Sequence, residues 1–305
     1  MNWPFPPRLS YTVPLAHGGA LRLGERCLVL GILNVTPDSF AESSSAPRDT
    51  NGFVDRALQI EADGADLIDI GGESTRPGSD PVPAEVEAAR LLPVLKALAG
   101  RLGIPVSVDT SKAEIARQAI DAGADLVNDV SGLGQGPALA QVVAAAGAAL
   151  VLMHTRGTPR TMNDEAVYED VVADVTRELR ERLSVATAAG VPLDRLIVDP
   201  GIGFAKRPPH SYGVLARLPE LAAALDRPVL VGPSRKSFMR EAVGERPAQE
   251  RDWGTAAAVA AAVLAGAHIV RVHGVAEMVQ VVRVAEEIRR EGLKESLIPN
   301  PQSLL

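Results

Sequence analysis

Cysteine is almost missing from this chain: Cys27 is the only one in 305 residues, so no internal disulfide can form. Its place in the apolar run Cys27-Leu28-Val29-Leu30 marks a buried structural thiol rather than a nucleophile. Aromatic residues are scarce as well, at 3%, and 31 Lys and Arg are outnumbered by 38 Asp and Glu, for a formal net charge of −7. A general nucleic-acid binder wants stacking rings and a basic face, so that class is excluded while a local cationic pocket is not. No segment offers about 18 uninterrupted apolar residues, and Met1-Asn2-Trp3-Pro4 opens no basic-then-apolar leader; the expectation is a cytoplasmic protein without membrane contact. Absent too are His/Cys clusters with zinc spacing, a Gly-x-Ser-x-Gly elbow, and Walker or dinucleotide glycine loops. Catalysis by this chain must then come from positioning and electrostatics.

What is present is a rhythm. Hydrophobic residues make up 46% and charged residues 23%, enough apolar material for a large core. Short apolar runs at about 27–35, 66–72, 105–110, 126–131, 149–154, 196–200, 228–233 and 269–274 alternate with segments of helical periodicity. Eight such βα units predict one domain over 1–305, an α/β protein of the (β/α)8 TIM-barrel type, with the barrel over about 27–290 and a frayed tail from about 292. The segment 9–23, with His17-Gly18-Gly19 between two extended stretches, predicts an N-terminal β-hairpin that plugs the lower mouth. Gly64-Ala65-Asp66, Gly123-Ala124-Asp125, Gly147-Ala148-Ala149 and Gly266-Ala267-His268 form a weak internal echo. Each glycine is expected to end a helix with positive φ and feed a strand, which carries fold information only. Two long loops, 36–52 and 73–83, follow strands and so belong to the catalytic face, where such loops act as lids.

In a barrel, inward residues at the C-terminal strand ends share one space, so polar groups there are the candidates. They are Asn34, Asp69, Asp109, Asn128, Asp129, Asp199, Lys236, Arg271 and His273. Any one of them could cap a helix, but seven strands sharing the habit cannot all be capping. The spacing Ser111 to Glu114 predicts a capping box, which would leave Asp109 free for a ligand. Arg271 and His273, two apart on one strand face, present two donors to an anion. Asp199-Pro200-Gly201-Ile202-Gly203-Phe204 reads either as an ordinary tight βα turn or as a seat for a flat heterocycle, its carboxylate accepting two N–H bonds. Ser234-Arg235-Lys236 sets a hydroxyl and two cations beside the mouth, or merely two solvated cations.

Together these segments strongly resemble dihydropteroate synthase. The resemblance rests on eight ordered motifs: Gly31-Ile32-Leu33-Asn34-Val35-Thr36-Pro37-Asp38-Ser39-Phe40, Asp69 to Gly78, Ser107-Val108-Asp109-Thr110, Asn128 to Gly132, Met153-His154-Thr155-Arg156-Gly157-Thr158-Pro159, Asp199 to Phe204, Ser234-Arg235-Lys236 and Arg271-Val272-His273. It implies a pterin-binding barrel that condenses 6-hydroxymethyl-7,8-dihydropterin diphosphate with p-aminobenzoate, giving dihydropteroate and diphosphate. It further implies that Asp109, Asn128, Asp199, Lys236, Phe204 and Met153 hold the pterin. Asn34 would ligate Mg²⁺, with Arg76, Arg271 and His273 on the diphosphate. Thr75, Arg76, Pro77, Phe40, Phe204, Ser234 and Lys236 would form the p-aminobenzoate pocket, and Asp109, Lys236, Asn34 and Arg76 would carry the chemistry. A homodimer built on the late helices is implied as well.

Two departures stand out: Gly274 where the family commonly has Asp, and Thr155 where it commonly has Met. Gly is an acceptable helix N-cap, so the first should cost a few tenths of a kcal/mol. Two other readings compete. A methyltransferase using methyltetrahydrofolate in the same kind of barrel would need neither the Asn34 loop nor Ser234-Arg235-Lys236. A catalytically silent pterin-binding homologue has only Gly274 in its favour.

Overall fold

A computed structural model describes residues 5–36, 49–76 and 78–296. Strands β1 (Tyr11–Pro14) and β2 (Ala20–Leu23) pair antiparallel across the expected turn. Eight parallel strands follow: β3 (Leu28–Asn34), β4 (Leu67–Gly71), β5 (Val106–Asp109), β6 (Leu126–Asp129), β7 (Ala149–Met153), β8 (Leu196–Asp199), β9 (Leu230–Val231) and β10 (Ile269–Val272). Their order is β8-β7-β6-β5-β4-β3-β10-β9, and the parallel bridge Val198–Val229 closes the ring. The strand β9 is the shortest because Pro228 and Pro233 flank it and neither has an N–H to give a ladder.

Outside the strands lie α1 (Thr50–Ala62), α2 (Ala84–Leu98), α3 (Ala113–Asp121), α4 (Ala138–Ala146), α5 (Val171–Ala188), α6 (Pro208–Ala216), α7 (Leu218–Leu225), α8 (Arg240–Val243), α9 (Asp252–Leu264) and α10 (Val275–Ser296). Asp49 and Asp170 cap α1 and α5 by accepting backbone N–H bonds. The four echo glycines all take positive φ, at 99°, 108°, 64° and 93° for Gly64, Gly123, Gly147 and Gly266. The turn from helix to strand therefore explains the echo, as expected.

Strand pleating sorts the core. Val29, Leu33, Ile68, Val108, Val127, Leu150 and Val198 face outward into the apolar layer against the helices. Leu28, Leu30, Leu67, Leu126, Ala149, Val151, Ile197, Leu230 and Ile269 face inward and form a second cluster with Val13, Leu15, Leu21 and Leu23 of the hairpin. The hairpin thus fills the lower barrel, as its sequence predicts. Cys27 is fully buried and burial pushes its thiol up to about 12, consistent with a structural role. No described helix is long and apolar enough to cross a membrane.

Candidate active site

Two residues further along β4, β6, β8 and β10, the inward series changes from apolar to polar. Leu67 is followed by Asp69, Leu126 by Asn128, Ile197 by Asp199 and Ile269 by Arg271. The pleat that buries the leucines also aims these polar groups at the upper mouth. There a cavity of about 920 Å³ opens, lined by Asn34, Asp109, Arg271 and His273 from the strand ends and by Thr75, Arg76, Phe204, Ser234 and Lys236 from the loops. Asn128, Asp199 and Met153 are buried and are not among the lining residues. Phe40 and Pro77 lie outside the described residues, as does 37–48 of the first long loop.

The centre of the site is an ion network across the barrel. Arg271 donates from Nε to Asp69 Oδ2 at 2.6 Å and from Nη2 to Asp109 Oδ2 at 2.8 Å. Asn128 Nδ2 also donates to Asp69 Oδ2, at 2.9 Å. The expectation of a free Asp109 is therefore corrected: it shares one guanidinium with Asp69. One cation among two buried carboxylates leaves the group short of positive charge. Burial, with Asp69 adding to it, pushes Asp109 up to about 7 against the pull of Arg271. Asp69 Oδ1 and Asn128 Oδ1 are buried without a hydrogen-bond partner, a cost of about 1–3 kcal/mol each that a ligand donor would relieve.

The capping box is also corrected. Lys112, not Ser111, is the N-cap of α3 and gives no side-chain cap. Its N–H bonds Thr110 Oγ1, while Ser111 Oγ accepts from Gln135. Lys112 Nζ instead reaches Glu73 and Glu87, each at 2.5 Å, and Glu73 Oε1 accepts from Val82 N–H. The second long loop is thus clamped at both ends of its base. Asp129 serves the chain rather than a ligand: its oxygens accept from Ser131 and Leu133 and organise a turn.

Asp199 Oδ1 accepts from Gly201 N–H at 2.7 Å, so one oxygen serves the turn and Oδ2 faces the space beside Gly232 and Lys236 Nζ. Burial raises its pKa, while Lys236 opposes that. Gly201 has φ 68° and a Cβ there would meet His154 O at 1.9 Å, so the glycine answers a backbone approach rather than a ligand. Lys236 donates to Ile202 O at 2.6 Å and stands 4.4 Å over the Phe204 ring. Burial lowers it to about 8, with Asp199 holding it up. Arg235 turns aside to Asp252 at 2.8 Å.

The two donors at the end of β10, Arg271 on the strand and His273 just past it, differ from expectation. Arg271 is already engaged by carboxylates, with Nη1 left over. His273 is neutral, because burial and then Arg235, Arg271, Arg76 and Lys236 hold its pKa well below the usual range. Ser234 Oγ accepts from His273 N–H and lies 2.9 Å from Nδ1. With the hydroxyl donating to Nδ1, the ring carries its proton on Nε2 as a single N–H donor. Gly274 starts α10, its carbonyl accepting from Met278 N–H, with Glu277 and Asp252 carboxylates close by.

A closed βα barrel with this mouth belongs to a class with a recognisable signature: the model of the family described as pterin binding enzyme matches residues 30–273. The dihydropteroate synthase of Synechocystis is 43% identical over 290 residues, covering 94% of this chain and 96% of that one. That of Escherichia coli is 42% identical over 258 residues, covering 85% and 90%. Among solved structures, Xanthomonas albilineans dihydropteroate synthase with 4-aminobenzoic acid matches with TM-score 0.84 and 41% identity over 92% of this chain and 99% of that chain. The Burkholderia cenocepacia enzyme complexed with 7,8-dihydropteroate matches with TM-score 0.83 and 40% identity, over 94% and 99%. The chain belongs to the dihydropteroate synthase family.

Proposed function

We propose that this chain joins 6-hydroxymethyl-7,8-dihydropterin diphosphate to p-aminobenzoate, releasing diphosphate and forming 7,8-dihydropteroate. One observation carries the reading most: carboxylates, an amide with an orphaned oxygen, and cations from separate strands converge beneath one cavity. Asp199 Oδ2 accepts from the amino-pyrimidine edge, and Asn128 Oδ1 and Lys236 complete the hydrogen bonding around the ring. Met153 and Phe204 supply apolar contact. Arg271 Nη1, His273 Nε2 and Arg76 receive the diphosphate.

The implied Mg²⁺ fits the residues present. Asn34 Oδ1 is a hard neutral oxygen, and Gly71, lacking a Cβ, leaves room between it and Asp109. No group of three or more His, Cys, Asp or Glu suited to a metal occurs among the described residues, so the ion would be held by Asn34 together with the diphosphate. When bound, it neutralises charge on the leaving group.

Loss of diphosphate leaves a cationic pterin methylene, and Asp109 in its charged form stabilises it. The arylamine nitrogen attacks that carbon, forming the C–N bond, and then gives up its proton to the released diphosphate or to water. Thr75, Arg76, Pro77, Phe40, Ser234, Phe204 and Lys236 orient the p-aminobenzoate, and the long loops exclude water that would trap the cation as an alcohol. Cytoplasmic location and a homodimer belong to the same proposal; exposed Val284 and Ile288, one turn apart on α10, and Trp253 on α9 favour an interface on the late helices. The deciding assay measures dihydropteroate formed from both substrates with Mg²⁺. No product at saturation overturns the reading, and methyl transfer from methyltetrahydrofolate would replace it.

A further inference from the structure

Behind the Asp199–Phe204 turn lies a chain of titratable side chains that the reaction does not use. Lys206 Nζ, 5% exposed, reaches His154 Nδ1 at 2.8 Å and Phe204 O at 3.1 Å. His154, fully buried, reaches Glu178 Oε2 at 2.9 Å from Nε2. Glu178 is held in turn by Arg156, which stacks 4.0 Å over Tyr168. Donors and acceptors agree along the whole line: Lys206 donates to both Phe204 O and Nδ1, and the Nε2 proton goes to Glu178. Burial keeps His154 neutral, down to about 3, and holds Lys206 well below its usual range. A buried lysine without a direct carboxylate partner is costly.

The geometry fixed here is that of the turn. His154 N–H donates to Asp199 O at 2.8 Å, and its carbonyl leaves no room for a side chain at Gly201. Gly201 and Gly203 both take positive φ and lend the turn little stiffness of their own. Two lysines therefore strap it: Lys236 binds Ile202 O from the cavity side and Lys206 binds Phe204 O from behind. Lys236 lines the cavity and is open to competition from substrate, whereas Lys206 is buried and does not line it.

We infer that Lys206, His154 and Glu178 form a positioning strap that keeps Phe204 and Asp199 in register when Lys236 turns to substrate. This rests on the proposed reaction, since that reading assigns Lys236 to the pterin. The test uses full-length Lys206→Met, with pterin diphosphate and magnesium diphosphate affinities measured by calorimetry and turnover measured against p-aminobenzoate. Misplacing groups by about an ångström costs on the order of 10- to 100-fold, so pterin affinity and the KM for p-aminobenzoate should worsen by that factor. Magnesium diphosphate, held on the far side by Asn34, Arg271 and His273, should bind unchanged. Pterin affinity and KM equal to wild type overturn the strap, and so does equal loss of all three ligands. If Lys206→Met does not fold, Glu178→Gln decides, with a smaller loss confined to pterin and p-aminobenzoate expected and no change counting against the strap. A wild-type protein that makes no dihydropteroate overturns the reaction, and the strap is then judged on pterin affinity alone.

Discussion

The lower and upper halves of this barrel are made by the same strands and obey opposite rules. Below, inward residues are aliphatic, the hairpin plugs the mouth, and the cluster gains roughly 25 cal/mol per Å² of apolar surface removed from water. Above, Asp69, Asp109, Asn128, Asp199, Lys236 and Arg271 crowd together, with two orphaned oxygens and one guanidinium serving two carboxylates. Breaking even one such contact is expensive, yet the assembled group adds little net stability. The lower half holds the barrel closed so that the upper half can keep charges where folding alone would not place them.

The sharpest attempt to break this division is Arg271→Met. It leaves Asp69 and Asp109 facing each other without their cation, and loss of one partner of a buried pair costs about 3–5 kcal/mol. Urea unfolding should show that loss at pH 8 and a smaller one at pH 5, where Asp109 is protonated; equal losses at both would place the cost elsewhere. Lys236→Ala should separate the halves cleanly. Turnover falls by about 10²–10³ in kcat/KM, as when one preorganised donor is removed. Stability should hardly move, because the ammonium is already penalised by burial. A large drop in unfolding temperature would contradict that. Leu21→Ala is the mirror experiment: the side chain is 5% exposed in the lower cluster, and such truncations cost about 2–5 kcal/mol. Calorimetric stability should fall while kcat in the cold stays at the wild-type value.

The same division explains which features are legible in the amino-acid sequence. The alternation of apolar runs and helical segments marked all eight strands, because burial on both faces leaves a continuous signal. Local chemistry was legible where it concerns neighbours in sequence, as with the echo glycines and the hairpin. It failed at Ser111, since Thr110 and Gln135 supply partners that the spacing rule does not see. Arg271 is 202 residues from Asp69 and 162 from Asp109, so its pairing follows from barrel closure alone. The clamp of Lys112 on Glu73 and Glu87 and the strap of Lys206 on His154 escaped for the same reason. A lysine two residues after Phe204 and the histidine that follows Met153 in the fifth motif were the only signals.

The smallest effect is the most discriminating, because it sets the activity of the upper half against its cost in stability within one titration. Burial raises Asp109 to about 7 and lowers Lys236 to about 8. The working form has Asp109 charged and Lys236 protonated, so kcat/KM should be bell-shaped, rising through about pH 7 and falling through about pH 8. The stability contributions run the other way. Asp109, raised on folding, contributes stability below the ordinary carboxylate range that is lost as pH climbs through 7. Lys236, lowered on folding, disfavours the fold below about pH 8, and that penalty is relieved as pH rises toward the ordinary lysine range. These two groups therefore destabilise the fold most between pH 7 and 8, where the enzyme should work best. Comparing the pH dependence of unfolding in wild type and Lys236→Met isolates the lysine share, which should appear below pH 8 as extra stability in the variant. A kcat/KM that stays level from pH 6 to 9 would show that neither group titrates in the working site.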